Sequence, residues 1–132
     1  MKNLNISALE KAIFQFEKGI TEAQKNQYNE LMRDGVIQRF EYTLDLAWKI
    51  LQRYLKHNLQ IEDASIRSKK DIFREAARAA LIEDAETWLA HYEARNETSH
   101  DYNQKKAEDV YAQALKFLPD VIKLFETLKN VT

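Results

Sequence analysis

Apolar positions recur along this chain at the three- and four-residue spacing of helices that each bury one face. Ala8, Leu9, Ala12, Ile13, Phe16, Ile20 and Ala23 make the first stripe and predict a helix over residues 6–25. Ser7 and Glu10 have the Ser-x-x-Glu spacing of a capping box at its start. A second helix begins between Asn26 and Gly35, with Val36, Phe40, Leu44, Ala47, Trp48, Leu51 and Leu55 in one stripe. Tyr42, Leu46 and Ile50 widen its apolar surface, which suits a central helix or one at an oligomer contact. Residues 57–67 read as a polar linker. Ser68 and Asp71 signal another helix start, followed by Ile72, Phe73, Ala76, Ala77 and Ala80 in a short alanine-rich helix. After a turn near Ile82 and Glu83, a fourth helix starts at about Asp84, its stripe Ala85, Trp88, Leu89 and Tyr92, with Arg95 next. Asn96 to Asn103 is polar and aperiodic, rich in residues that favour turns. The last helix covers about 104–128, with Ala107, Val110, Ala114, Phe117, Leu118, Val121, Leu124 and Leu128 facing inward. Pro119 removes a backbone donor and is expected to kink or restart it.

Composition agrees with this pattern. Two glycines and one proline in 132 residues leave few helix breakers, which points to an all-α fold. The expected architecture is an antiparallel up-and-down bundle of four longer helices plus one short one, in a single domain over 1–132. A chain of this size buries roughly 68% of its unfolded surface, enough for one core without staples. The lack of cysteine excludes disulfides, thiolate metal ligation and a cysteine nucleophile. No apolar run approaches the roughly 20 residues that span a bilayer. Met1 to Glu10 has no apolar signal-peptide segment, so a cytoplasmic location is expected. The net charge of −1 excludes a generic basic nucleic-acid coat, so any RNA contact is local or shared with a partner.

Chemistry concentrates in Arg95-Asn96-Glu97-Thr98-Ser99-His100-Asp101-Tyr102. Arginine presents a fixed fork of donors to phosphate oxygens, and histidine moves protons near neutral pH. A tyrosine hydroxyl is a nucleophile or a modification acceptor. On an ideal helix Arg95 and His100 would point about 140° apart, so they converge only where the helix loosens. Spacing alone leaves a structural alternative open, in which Arg95 pairs with a neighbouring carboxylate at a helix end and His100 is solvated. Asn96 would then serve the backbone, and in the chemical reading it orients Arg95.

Arg95-x4-His100-x-Tyr102 resembles the signature of HEPN domains in its tyrosine-extended form. With SKKDIFREAARAALI (68–82), Trp88-Leu89, Val110-Tyr111 and FEYTLDLAWKILQRYL in the second helix, nearly the whole chain is similar to the nucleotidyltransferase substrate-binding protein family. Lys69 departs from the proline that many members carry there. The resemblance implies a dimer-forming helical bundle similar to the companion domain of kanamycin-type nucleotidyltransferases. It also implies a minimal nucleotidyltransferase as partner protein. In some such pairs the helical protein is a metal-independent RNase toxin, silenced when the partner adenylylates the motif tyrosine. Carried over by position, Arg95 and His100 are catalytic and Tyr102 is the acceptor. The alternative is a non-catalytic subunit that binds nucleotide or substrate for a separate nucleotidyltransferase.

RNA cleavage by a 2′-hydroxyl needs a base, an acid and charge stabilisation at phosphorus. Acid–base help contributes roughly 10²–10⁴-fold. One imidazole serves poorly as both, so a homodimer joining two octads is the natural unit. Elsewhere, Arg67, Lys70, Arg74 and Arg78 form a basic stripe that either meets phosphate, RNA or an acidic partner, or is a solvated face balanced by Asp71 and Glu75. His91, with Trp88, Tyr92 and Arg95, is either an aromatic wall or the core's edge. His57 reads as a helix-end residue, and Glu41 with Asp45 as a solvated or partner-facing edge. Three scattered histidines give no metal signal, and no glycine-rich phosphate loop is present, so neither metal nor cofactor is expected.

Overall fold

A computed structural model of the chain describes residues 4–97 and 103–132. They form five α-helices and no strand: α1 (Ser7–Lys25), α2 (Glu30–His57), α3 (Lys69–Arg78), α4 (Ala85–Glu97) and α5 (Gln104–Val131). A single 3₁₀ turn, Asp63–Ser65, lies between α2 and α3. The architecture is the expected antiparallel up-and-down bundle, with α3 as its short helix. α2 packs on every other helix, which buries Ile50 and part of Leu46 on its second apolar side and leaves Tyr42 exposed.

The core is one continuous cluster centred on Phe16, Phe40 and Phe117, whose rings lie 5.3–6.4 Å apart. Trp88 and His91 of α4 meet the same Phe117 ring edge-on at 5.3 and 5.1 Å. Each buried Phe or Leu side chain contributes about 1.5–3 kcal/mol of transfer free energy. His91 is therefore a core residue.

The helix ends show which local signals operate. Asn29, Ser68 and Asn103 cap α2, α3 and α5 by accepting main-chain N–H groups of the first turn. The Ser7–Glu10 capping box does not form. Ile6 occupies the cap position, and Asn5 Oδ1 instead accepts from the Ser7 N–H at 3.0 Å and its hydroxyl at 2.7 Å. α3 stops at Arg78, short of Ala80. Ala80 has φ 61°, its N–H donates to Ala77, and the Leu81 N–H donates to Ala76. This is a Schellman motif with alanine in the left-handed position usually given to glycine. α5 runs unbroken through Pro119, with no restart. Pro119 is on the exposed side, where a carbonyl that loses its helical donor can be hydrated.

Candidate active site

Arg95 lies in the last described turn of α4 and is about one-quarter exposed. Its Nε and Nη2 donate to Oδ1 and Oδ2 of Asp45 at 3.2 and 3.0 Å, a fork-on-carboxylate pair between α4 and α2. Nη1 lies 3.6 Å from Glu41 Oε2, one turn earlier on α2. The Asp45 hydrogen bond, opposed by partial burial, raises the Arg95 pKa, so the cation is permanent. A guanidinium has five donors. With Nε and Nη2 on Asp45 and Nη1 beside Glu41, the guanidinium is held between two carboxylates of α2. Asp45 and Glu41 are thus the seat of Arg95, a pairing fifty residues apart in sequence that helical spacing does not reveal.

The other end of the octad is tied to α2 as well. Arg33, buried to 3% exposure, donates through Nη1 to Gln104 Oε1 at 2.7 Å and to Glu108 Oε1 and the Tyr28 hydroxyl at 2.9 Å each. Its Nε contacts Asp34 at 3.0 Å. The Tyr28 hydroxyl also donates to Glu108, which lowers the Glu108 pKa and raises that of Tyr28. Two arginine-centred clusters therefore join α2 to the end of α4 and the start of α5, on either side of residues 98–102. Asn96 is half-buried beside Arg95. His100 and Tyr102 lie outside the described residues.

Next to Arg95 along α4, Tyr92 faces Trp48 across a lysine. Lys69 Nζ lies 3.9 Å from the Trp48 ring centre and 5.6 Å from that of Tyr92. Such a cation–π contact contributes about 0.5–2 kcal/mol. Lys69, the position that departs from proline, thus covers two aromatic rings. The Trp48 indole N–H is buried without a hydrogen-bond partner among the described residues.

His91 is 1% exposed and engaged at both nitrogens, with Asp120 Oδ2 at 2.7 Å from Nε2 and Gln113 Nε2 at 2.9 Å from Nδ1. The glutamine amide donates to Nδ1, so the ring proton sits on Nε2 and donates to Asp120. Burial lowers the His91 pKa, against the opposing pull of Asp120.

The basic stripe divides. Arg74 is 3.9 Å from Asp71 and Arg78 is 3.3 Å from Glu75, the balancing contacts available on a solvated face, and Lys70 is exposed. Arg67 instead lines a pocket of about 550 Å³ with Lys49, Gln52, Arg53, Lys56, His57, Asp63 and Ile66. Sequence spacing did not single out Lys49, Arg53 or Lys56. They belong to α2, and the loop after it folds back to place Arg67 among them. A second pocket of about 490 Å³ lies between the α3–α4 turn and α5, lined by Trp88, Asp120 and Lys123 among others. Among the described residues no group of three or more histidine, aspartate or glutamate side chains is gathered as metal ligands would be. No helix there is long and apolar enough to cross a membrane.

These features define an all-α bundle with a charged junction between its last two helices, each side of it fastened to the central helix. The chain belongs to the nucleotidyltransferase substrate binding protein-like family, whose model matches residues 4–130. It is 35% identical over 136 residues to a protein of Haemophilus influenzae named probable ribonuclease HepT, covering 96% of this chain and 93% of that one. A solved Haemophilus influenzae structure, described as the fold of a substrate binding domain of a nucleotidyltransferase, superposes with a TM-score of 0.85 at 34% identity, covering 95% of this chain and 99% of that one. A Thermus thermophilus crystal structure superposes with a TM-score of 0.78 at 30% identity, covering 91% and 98%.

Proposed function

We propose that this chain is a single-domain, cytoplasmic, HEPN-type endoribonuclease that works as a homodimer and is paired with a minimal nucleotidyltransferase as a toxin–antitoxin unit. The observation that carries the reading is Arg95, held as a permanent cation by Asp45 at the entrance to the octad, in a chain 35% identical to a probable ribonuclease. Arg95 stabilises negative charge on the phosphorane oxygens. His100 carries the proton, and Asn96 supports Arg95. Two copies supply the base and acid that one imidazole cannot supply together. Tyr102 is the acceptor through which the partner silences the enzyme by adenylylation, forming an O–AMP ester and releasing pyrophosphate from ATP.

The solved relative described as a substrate binding domain favours a second reading, a non-catalytic subunit that holds nucleotide or substrate for its nucleotidyltransferase. Intact mass after incubation with the partner enzyme and ATP separates the two. Added AMP units that disappear in Tyr102→Phe are expected. An unchanged mass in a tight complex would favour the binding subunit.

A further inference from the structure

Although the chain has a net charge of −1, the pocket at the C-terminal half of α2 is strongly cationic. Lys49, Arg53, Lys56 and Arg67 line it with His57, against one carboxylate, Asp63, which pairs with Lys56 at 3.2 Å. Among the described residues, Arg53 and Arg67 pair with no carboxylate. Lys56 and His57 have a structural reason to be there, because cations stabilise a helix C-terminus. Arg53 and Arg67 do not, since the first sits earlier in α2 and the second lies beyond it, while Lys49 Nζ lies 5.7 Å from the Trp48 ring centre. The floor is built. Ile66 is 1% exposed, and the Gln52 amide donates to its carbonyl at 3.1 Å, which fastens the loop to α2.

The pocket is in line with the Arg95 site. Asp45, Lys49 and Arg53 follow one another at i, i+4 and i+8, on one face of α2. From Asp45, where Arg95 is seated, to Arg53 is roughly 12 Å of helix at 1.5 Å per residue. Lys69 lies over Trp48 within the same stretch. Cations therefore continue from Arg95 past Lys69 and Lys49 to Arg53 and Arg67.

We propose that this pocket binds the phosphates of the single-stranded RNA substrate that flank the one held at Arg95, with Lys49, Arg53 and Arg67 as the phosphate contacts. The inference rests on the RNA-cleaving reading and adds where the strand runs. An open, cation-lined trough with no base-sized aromatic slot contacts backbone and leaves bases unread, so the contribution is to affinity and register.

The test is fluorescence anisotropy with a labelled 2′-O-methyl oligoribonucleotide, which lacks the attacking hydroxyl and stays intact on the wild-type protein. The triple variant Lys49→Ala/Arg53→Ala/Arg67→Ala is compared with Lys70→Ala/Arg74→Ala/Arg78→Ala, which removes the same charge from α3. Three lost phosphate contacts reduce the slope of log affinity against log salt by about 2, at about 0.7 per contact on single strands. The α3 triple is expected to change it by much less. Arg53→Lys/Arg67→Lys, which keeps the charge, is expected to retain the wild-type slope. Equal losses in both triples, or none in either, overturn the proposal. So does unchanged RNA affinity with a weakened nucleotidyltransferase complex, which would make the pocket a protein contact. Pocket-dependent binding in a protein that cleaves no RNA supports the pocket and sinks the nuclease reading. Pocket-independent binding in a protein that does cleave sinks the pocket alone.

Discussion

Acidification should destabilise this protein through His91. The ring is 1% exposed, packed on Phe117 and Trp88, and both nitrogens are committed in the neutral form. Burial lowers its pKa and outweighs Asp120, which pulls the other way. In the unfolded chain the imidazole titrates near its ordinary value of about 6.5. Below that pH the unfolded state takes up a proton that the folded state declines. The contribution is therefore complete above about pH 6.5 and is lost as pH falls towards the folded pKa. The slope is about half its limiting value at pH 6.5 and steepens below it, so a fall from 6.5 to 5.5 costs at most about 1 kcal/mol from this group alone. Urea unfolding from pH 8 to 5.5, run on wild type and His91→Phe, isolates it. Phenylalanine keeps an aromatic ring against Phe117 and does not titrate, and the remaining groups cancel in the difference. Wild type should lose stability relative to the variant as pH falls. A flat difference would show that burial does not control His91. A rising one would show a protonated ring paired with Asp120, with the sign reversed.

Other consequences can be checked on the same protein. Ala80→Gly should raise stability by about 1 kcal/mol, because it relieves the left-handed φ at the end of α3; a loss in denaturant titration would count against the Schellman geometry. Phe117→Ala should cost about 3–5 kcal/mol by emptying the meeting point of α1, α2, α4 and α5; a cost under 1 kcal/mol in the same titration would place the core elsewhere. Asp45→Asn should change stability by less than about 1 kcal/mol, as partly exposed ion pairs do. It should nevertheless lower RNA cleavage by about tenfold to a hundredfold by releasing Arg95 from its seat. Cleavage at the wild-type rate would show that Asp45 does not position Arg95.

Most of the bundle was legible because its signals are local. The period of Leu9, Phe16, Phe40, Leu51, Phe117 and Leu124 marks buried faces, and all six are fully or nearly fully buried. Boundaries were read where side-chain chemistry marks them, as at Ser68 and Asn103. They were misread where a neighbouring side chain or the backbone took over the end. Asn5 took over the accepting role expected of Ser7, and alanine occupies a glycine position at Ala80. Pro119 leaves α5 continuous because the missing donor is on the wet side. At the site, Arg95 was singled out by its neighbours in sequence, but its partner Asp45 comes from another helix. The same holds for Arg33 with Glu108 and Gln104, and for Arg67 with Lys49 and Arg53. Periodicity reports which face a residue occupies and says nothing of which helix comes to meet it. His91 shows the converse. Its spacing with Trp88 placed it at the core edge, while the two hydrogen bonds that hold it there come from α5.

The most direct test of the central claim is cleavage of RNA by the purified protein in EDTA, alongside Arg95→Ala and His100→Ala. The account predicts that wild type cuts without metal. It predicts that each variant loses activity by at least the roughly hundredfold expected of acid–base or electrostatic assistance. Wild type that leaves RNA intact, or variants that cut as fast as wild type, would contradict it.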